Sequence, residues 1–406
     1  MNTQLIFCAV IMAMGVTKSC AACTQFDGPA LKAVSNGANQ FSTSFYKALA
    51  DSESGNFICS PVSVNVVMSM VSFGAHGDTE QQLKSVLNLP CDKSIIKQGY
   101  QELIDSLNNV KGAELKLANK IFAPTDYELK PEFKELTKTF FRSEIQNVDF
   151  KKSEEAAKTI NDWCASKTNN HITELFKADD VRDSTLVLVN AVYFKGKWAD
   201  KFDSALTKPA PFYTDEKTTT DVQMMHKHGQ FYWGFISEVN ARFIELPYES
   251  KDFNEAISMF IILPNEINGL LNVESNLYKI DFGRLRGYKS SVDLYLPKFK
   301  IESKFDLKEI LEKLGISEIF KNTANFSGIS DKINMKVSKI VQKAFIEVNE
   351  EGSEAAAVTG ILMGESARPA LPPPPELFVV DKPFIYSIVD RNSDIILFQG
   401  HIYIPV

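Results

Sequence analysis

The chain is poor in the residues and motifs on which most catalytic and metal sites depend. It has five histidines and six cysteines among 406 residues, and it contains no Gly-x-Ser-x-Gly elbow, P-loop or dinucleotide-binding motif. His226 and His228 are close in sequence, but no cluster of Cys, Asp or Glu surrounds them. We interpret this segment as a solvated surface turn, and we expect no enzymatic activity, no bound metal and no cofactor.

The cysteines do not form the pattern of a disulfide scaffold. Three of the six lie near the N-terminus, and the others, Cys59, Cys91 and Cys164, are an odd set that cannot all pair. Cys59 and Cys164 lie in segments with the composition of a protein core. We therefore expect both of them to be free, buried thiols.

Long apolar runs are scarce as well. The run Leu5–Val16 has 12 residues and no charge, whereas a membrane-spanning helix needs about 20 residues. Small residues follow at Ser19 and Ala21, so residues 1–21 are predicted to be a secretory signal peptide cleaved at about 19–22. A buried N-terminal helix is the alternative. We accordingly expect a secreted, extracellular protein without a membrane-spanning segment.

Neither the charge nor the composition of the sequence indicates a boundary between domains. Its 44 Lys and Arg against 51 Asp and Glu give a net charge of −7, which argues against a general nucleic-acid binder. The 44% hydrophobic content is ordinary for a folded globular protein. Without a Gly/Ser run, a charge block or an internal repeat, the sequence favours a single domain over residues 24–406 and a monomer.

Hydrophobic periodicity predicts an α+β fold, with helices early in the chain and strands later. Helical patterns lie at 41–49, 131–140, 153–168 and 305–314, the last ending at Gly315. Near-continuous apolar runs, typical of buried strands, lie at 186–194 and 257–263.

The most informative stretch begins about 50 residues before the C-terminus. From Ser353 to Met363 every second residue is uncharged, and the first four of these are small. Because strand side chains alternate between two faces, this set can be buried under a sheet while Glu354 stays in water. The set ends at Glu365, where burial of a carboxylate is costly. The result is a potential strand of about 12 residues, or roughly 40 Å. An Ala-rich flexible loop, or a helix capped by Ser353, is the alternative.

Ordered sequence blocks resemble the serpin family from about residue 35 to the C-terminus. The block that follows residue 349 is similar to the hinge of inhibitory serpins, and reads Glu350-Glu351-Gly352-Ser353-Glu354-Ala355-Ala356-Ala357. Further blocks with family-like sequence are Asn56–Ser63, Gly74–Thr79, Leu188–Trp198, Leu296–Phe299, Asp381–Phe384 and Ile396–Gly400. The secretion signal, the acidic hinge and the proline-rich segment after it are similar to those of secreted inhibitory serpins of arthropods.

This resemblance implies three β-sheets, about nine helices and an exposed reactive-centre loop at about 350–375. It also implies suicide inhibition of a serine protease of an extracellular cascade, by loop cleavage, trapping of the acyl-enzyme and strand insertion. A role in innate immunity follows only by association. The alternative is a non-inhibitory serpin that acts as a carrier or a chaperone.

The resemblance further assigns roles to single residues. Trp198 would guard the breach, the point where the loop enters the sheet. Ser60, Ser63 and Asn190 match the shutter, a polar cluster beneath the sheet where strands separate. Gln342 occupies a shutter position where serpins often have a histidine. Because glutamine cannot titrate, we expect no pH-dependent opening through that position.

Family spacing, counted from the hinge, places the reactive bond near Ser366. We expect cleavage between Glu365 and Ser366, with Ser366–Ala367 as the alternative. Glu365 is a poor match to the acidic specificity pocket of a trypsin-like protease. Met363–Gly364 and Leu362–Met363 remain open for a chymotrypsin- or elastase-like target.

Two surface sites are minor expectations. Lys84, Lys93 and Lys97 lie near the helix that binds heparin in some serpins, but acidic residues such as Asp92 interrupt them. A solvated face is the preferred interpretation, with weak glycosaminoglycan binding as the other. Asn325 begins an Asn-Phe-Ser sequon and is a glycosylation candidate.

Overall fold

The computed structural model describes residues 28–110, 113–250, 257–332, 334–352 and 374–406. Its helices are α1 (Ala30–Ala50), α2 (Pro61–Ser72), α3 (Gly77–Val86), α4 (Lys93–Asn108), α5 (Pro131–Phe141), α6 (Ser153–Lys167), α7 (Ala178–Val181), α8 (Leu270–Ser275) and α9 (Lys308–Leu314). Its strands are β1 (Phe57–Cys59), β2 (Ala113–Pro124), β3 (Ile145–Val148), β4 (Leu186–Gly196), β5 (Lys208–Tyr213), β6 (Thr219–Ile236), β7 (Ala241–Pro247), β8 (Ile257–Pro264), β9 (Tyr288–Pro297), β10 (Phe299–Asp306), β11 (Val337–Val348), β12 (Glu376–Val379), β13 (Phe384–Asp390) and β14 (Ile395–Ile402). The predicted α+β class and the expected number of helices are confirmed for the described residues. The predicted signal peptide lies outside them.

A five-stranded sheet carries the region of functional interest. Its strand order is β10-β11-β4-β2-β3. The two central strands, β4 and β11, are parallel to each other, and each is antiparallel to its outer neighbour, β2 or β10. We call the boundary between β4 and β11 the seam.

The other strands form a nine-stranded sheet in the order β1-β14-β13-β8-β7-β6-β9-β12, with β5 added beside β6. Strand β6 is 18 residues long and joins two parts of this sheet. One end of it pairs with β7, and the other with β5 and β9. The three predicted sheets thus correspond to the five-stranded sheet and to these two parts.

The five-stranded sheet is covered on both faces. Leu186, Leu188 and Val192 of β4 face the core built around α2, every residue of which is buried. Val187 and Val189 face the opposite way, into a second core under α6. Burial on both faces explains why this strand reads as a continuous apolar run, as predicted for residues 186–194.

Two local predictions are wrong. The helix predicted from Phe305 begins at Lys308, because β10 alternates buried and exposed residues through Phe305. An apolar residue at position 305 fits both the repeat of a helix and the alternation of a strand. The segment at His226 and His228 is part of strand β6 rather than a turn, since β9 pairs with it residue by residue.

The cysteines follow the prediction in part. Cys59 and Cys164 are free and buried, and burial raises the pKa of both thiols, that of Cys164 to about 12. Neither is therefore a reactive thiolate at neutral pH. Cys91, however, is disulfide-bonded.

Candidate functional site

The seam is closed along most of its length and open at one end. The β4–β11 pairing runs from Leu186 and Val337 to Tyr193 and Phe345. Beyond that pair, the last three residues of β11 pair with β10, and those of β4 pair with β2. We call this end, which lies beyond the last β4–β11 register pair, the open end of the seam.

A buried polar cluster crosses the closed part of the seam. Gln342 of β11 and Asn190 of β4 are register partners, and Gln342 Nε2 donates to Asn190 Oδ1 at 2.6 Å. Asn190 Nδ2 in turn donates to Asn119 Oδ1, on the next strand, and to Ser63 Oγ of α2. A chain of neutral hydrogen bonds therefore joins three adjacent strands to the helix beneath them.

Ser60 completes this cluster at the start of α2. Its N–H donates to Gln342 Oε1 at 3.0 Å, and its carbonyl accepts from Gln342 Nε2 at 2.9 Å. Its hydroxyl donates to the Leu397 carbonyl of β14 at 2.7 Å instead of capping the helix. We call the residues Ser60, Ser63, Asn119, Asn190 and Gln342 the shutter cluster.

The shutter cluster contains one residue that the sequence did not reveal. Ser60, Ser63, Asn190 and Gln342 were assigned to it by resemblance, and the fold places them together and fully buried. Asn119 lies directly across the β2–β4 pair from Asn190. Its position in β2 carries no motif, so only the strand register identifies it.

At the open end, Trp198 holds the backbone that leaves β11. Its indole Nε1 donates to the Asn349 carbonyl at 2.9 Å, and its N–H donates to the Glu351 carbonyl at 3.1 Å. The ring stacks on Tyr248, with centroids 4.5 Å apart and planes at 11°. The predicted breach residue therefore does contact the segment that leads to the loop.

Two carboxylates anchor the same segment. Glu350 accepts from Thr207 Oγ1 at 2.7 Å and forms an ion pair with Lys298 Nζ at 2.9 Å. Glu351 pairs with Lys201 at 2.6 Å. Burial raises the pKa of Glu350, but the hydrogen bonds from Lys298 and Thr207 outweigh it, and the pKa lies below its ordinary value. We call the residues Trp198, Lys201, Lys298, Glu350 and Glu351 the breach cluster.

Gly352 closes the turn after β11. Its N–H donates to the Asn349 carbonyl at 3.2 Å, and its φ of +91° is a conformation that residues with a side chain rarely adopt. A Cβ atom here would lie 2.4 Å from the Gly196 carbonyl oxygen and 2.4 Å from the Trp198 nitrogen. Glycine is thus required by conformation and by space.

The rest of the predicted loop lies outside the described residues. This applies to the hinge residues Ser353, Glu354, Ala355, Ala356 and Ala357, and to both proposed reactive bonds, Glu365–Ser366 and Ser366–Ala367. Their roles remain predictions.

The lysines considered for glycosaminoglycan binding already have partners. Lys84 and Lys93 both form ion pairs with Glu80, at 2.8 and 2.9 Å. Lys97 lies over the rings of Phe73 and Phe140. The Glu80 carboxylate offsets one of the three positive charges, and the ring contacts of Lys97 leave its charge in place.

Asn325 is exposed, and its side-chain oxygen accepts from the Ser327 hydroxyl at 2.8 Å. Both polar residues of the sequon thus lie at the surface, where glycosylation requires them. Modification of Asn325 remains a prediction.

The two strand histidines share a carboxylate. His226 Nε2 and His228 Nδ1 lie 3.5 and 3.0 Å from Asp293 Oδ1 on β9. Within the described part of the chain, no group of three or more His, Cys, Asp or Glu residues is arranged to hold a metal ion. Among the helices of the described residues, none is both long enough and apolar enough to cross a membrane.

Comparisons with known proteins agree with this arrangement. The family model described as serpin (serine protease inhibitor) matches residues 36–405. The bovine leukocyte elastase inhibitor is 40% identical over 366 residues, which cover 86% of this chain and 93% of that protein. Serpin48 from the insect Tenebrio molitor superposes with a TM-score of 0.82 at 32% identity, covering 92% of this chain and 98% of that one. Human thyroxine-binding globulin, solved with a bound ligand, gives a TM-score of 0.81 at 29% identity, covering 93% and 100%. The chain belongs to the serpin family.

Proposed function

We propose that this protein is a suicide-type inhibitor of an extracellular serine protease and has no catalytic activity of its own. The observation that carries the proposal is the parallel pairing of β4 with β11 next to the turn that ends at Gly352. A strand that turns back after β11 runs antiparallel to β11, and therefore also antiparallel to β4. It can bond to both strands without reversing either of them.

The sequence after the turn fits such a strand. The residues that would face inward, from Ser353 to Met363, are uncharged and mostly small. Each new ladder hydrogen bond contributes about 1 kcal/mol net, and burial of Ile361 and Met363 adds about 1.5–3 kcal/mol each. Serpins are the standard example of loop insertion as an added strand. The same gain makes the intact form metastable with respect to the cleaved one.

Inhibition then depends on the relative rates of two steps, insertion of the cleaved loop and hydrolysis of the ester that joins it to the protease. The protease serine attacks the carbonyl of Glu365, an ester bond forms, and the peptide bond breaks with the proton passing to the Ser366 amine. The Ser366 side is released, while the Glu365 side stays joined to the enzyme. If insertion outpaces hydrolysis of the ester, the enzyme is carried along and trapped. Small inward-facing residues favour that outcome because the strands part least for them.

The disulfide at Cys91 supports an extracellular location, since disulfides persist in oxidising compartments. It agrees with the predicted signal peptide. The ion pairs of Lys84 and Lys93 with Glu80 favour weak glycosaminoglycan binding at most. A protease of an innate-immune cascade is the partner that the arthropod resemblance favours, and the protein would meet it as a monomer.

The alternative is a non-inhibitory serpin that acts as a carrier or a chaperone. It is kept because thyroxine-binding globulin, a relative named for a small ligand, shares the fold almost as closely as the insect serpin does. The small uncharged hinge of this chain favours inhibition. A carrier would not depend on loop insertion, and many non-inhibitory serpins should gain no heat resistance when the loop is cut.

The proposal is tested by incubating the protein with trypsin, chymotrypsin, pancreatic elastase and a glutamate-specific serine protease. We expect at least one of them to give an adduct that survives a denaturing gel. N-terminal sequencing of the released fragment should begin at Ser366. Heat resistance of the cleaved protein is measured in parallel. Cleavage by all four without an adduct or added heat resistance would refute inhibition by insertion.

Two arginine variants distinguish an effect on strand insertion from an effect on recognition of the loop by the protease. Ser353→Arg places a guanidinium on the inward face of the proposed strand, where an unpaired charge is strongly unfavourable. We expect this variant to be cleaved as a substrate without forming the adduct. Glu354→Arg, one residue further and outward-facing, should still form the adduct. Equal adduct yields for Ser353→Arg and the wild type would show that the strand is misassigned.

A further inference from the structure

Three aromatic rings lie together at the open end of the seam, on the face covered by α6. The ring of His171 stacks on Tyr193 of β4, with centroids 4.3 Å apart and planes at 12°. It also stacks on Phe345 of β11, at 5.7 Å and 25°. Tyr193 and Phe345 are the last register pair of the seam, and their own centroids are 6.1 Å apart. We call these three residues the ring stack.

We propose that His171 holds β4 and β11 together at the last register pair of the seam and thereby slows insertion of the cleaved loop. We call this role of His171 the latch. The proposal rests on the proposed function and deepens it. It assigns His171 as a positioning residue that controls how fast β4 and β11 separate. The ring acts on the two strands and touches neither the protease nor the reactive bond.

The chain around His171 is fixed firmly enough to act in this way. The residue lies in the connection from α6 to α7, which crosses the seam. Its N–H donates to the Thr168 carbonyl at 2.9 Å, and the next residue, Ile172, is buried and bonded to Thr168 Oγ1. Further along, the Glu174 carbonyl accepts from Lys343 of β11 at 3.3 Å. The imidazole is therefore held over the seam from both sides.

Insertion of a strand is incompatible with the ring stack. Neighbouring strands lie about 4.8 Å apart, so one added strand would move the Tyr193 and Phe345 rings to roughly 11 Å apart. Aromatic pairs interact at centroid distances of about 4.5–7 Å. The His171 ring would then contact at most one of its partners. The stack thus stabilises the closed sheet and is lost as the strands part.

The expected effect follows from the strength of an aromatic pair. Loss of one such pair should accelerate opening of the seam by about three- to tenfold. In the race between insertion and ester hydrolysis, a faster opening favours trapping. The latch would consequently lower the yield of trapped protease while protecting the intact protein against premature insertion.

The test measures the insertion rate directly. Glu354→Cys, labelled with an environment-sensitive dye, is introduced into the wild type and into each variant, and the loop is cut by whichever protease forms the adduct. We expect the change in dye emission that accompanies insertion of the labelled strand to be about three- to tenfold faster in His171→Ala. His171→Phe should restore the wild-type rate because it keeps a stacking ring. Thr173→Ala, an exposed neighbour in the same connection, should also leave the rate unchanged.

Stability of the cleaved forms serves as the second measurement. The cleaved wild type and cleaved His171→Ala should unfold at the same temperature, since neither retains the ring stack. If the cleaved wild type gains heat resistance but His171→Ala inserts at the wild-type rate, the latch is refuted and the proposed function stands. If the cleaved wild type gains no heat resistance, insertion itself is refuted.

Discussion

The shutter cluster and the breach cluster fasten the same pair of strands by different chemistry. The shutter joins β4 and β11 through neutral amides and hydroxyls that are buried under the sheet. The breach holds the turn after β11 through ion pairs and backbone bonds that are partly exposed. The contacts across the closed part of the seam are therefore insensitive to pH and salt, while those at the open end respond to both.

The difference bears on how the seam opens. A buried neutral network is costly to break, because each separated group loses its partner without reaching water. A partly exposed ion pair is replaced more easily by water and contributes less. We accordingly expect β4 and β11 to separate first at the breach cluster and most slowly at the shutter cluster. Substitutions at Asn190, Gly352 and Glu350 test this ranking, in order of decreasing expected effect.

The largest effect is expected at the shutter. Asn190→Ala leaves Gln342, Asn119 and Ser63 without their shared partner, and we expect a loss of about 3 kcal/mol in the free energy of unfolding of the intact protein. Urea titration followed by circular dichroism measures it. Asn268→Ala removes an exposed amide that bonds only Glu216 and should change stability by less than about 0.5 kcal/mol. Equal effects of the two variants would contradict a structural role for the shutter.

An intermediate effect is expected at the turn after β11. Gly352→Ala forces a Cβ atom against backbone atoms of Gly196 and Trp198, and the left-handed conformation adds strain. Together these should lower the stability of the intact protein by about 2 kcal/mol, seen as a lower melting temperature. Gly55→Ala is the matched control, because a Cβ atom there meets nothing within 4 Å. A normal melting temperature for Gly352→Ala would mean that the turn is not fixed.

The smallest effect is expected from the breach carboxylate. Because the pKa of Glu350 is lowered in the folded protein, its contribution is complete above the ordinary carboxyl pKa and is lost as pH falls through the lowered value. Glu350→Gln should cost about 1 kcal/mol at neutral pH and progressively less as pH falls below the ordinary carboxyl pKa of about 4.3. Urea midpoints across this range measure the difference.

The control for this pH series is Glu347→Gln, which alters an exposed carboxylate 3.8 Å from Lys300. It should show little dependence on pH. A constant gap between Glu350→Gln and the wild type across the range would mean that the ion pair with Lys298 does not stabilise the turn.

The sequence predicted elements best where one periodicity dominated. The repeat of Phe41, Phe45 and Leu49 predicted α1, and the apolar run at 186–194 predicted β4. It failed at Phe305, where an apolar residue fits a helix and a strand equally well, and at His226, where long-range pairing with β9 overrides a polar local composition. Such cases depend on a partner strand that the local sequence does not contain.

The functional residues divide in a similar way. Gly352 and Trp198 lie in sequence blocks that resemble a known family, and Gln342 occupies a position where that family often has a histidine, so their places were expected. Asn119 and His171 carry no local signal. Each gains its role only when the register or a crossing connection brings it against residues in the two central strands.

By itself, the sequence determined the family, the small uncharged segment after Gly352 and the apolar strand that the segment would join, because each is written in consecutive residues. The tertiary structure alone decided which side chains close the seam. Gln342, Asn190 and Asn119 are 152 and 71 residues apart along the chain, and only pairing between distant strands places their amides within bonding distance. Hydrogen bonds at that range depend on strand register, which no local pattern of residues encodes.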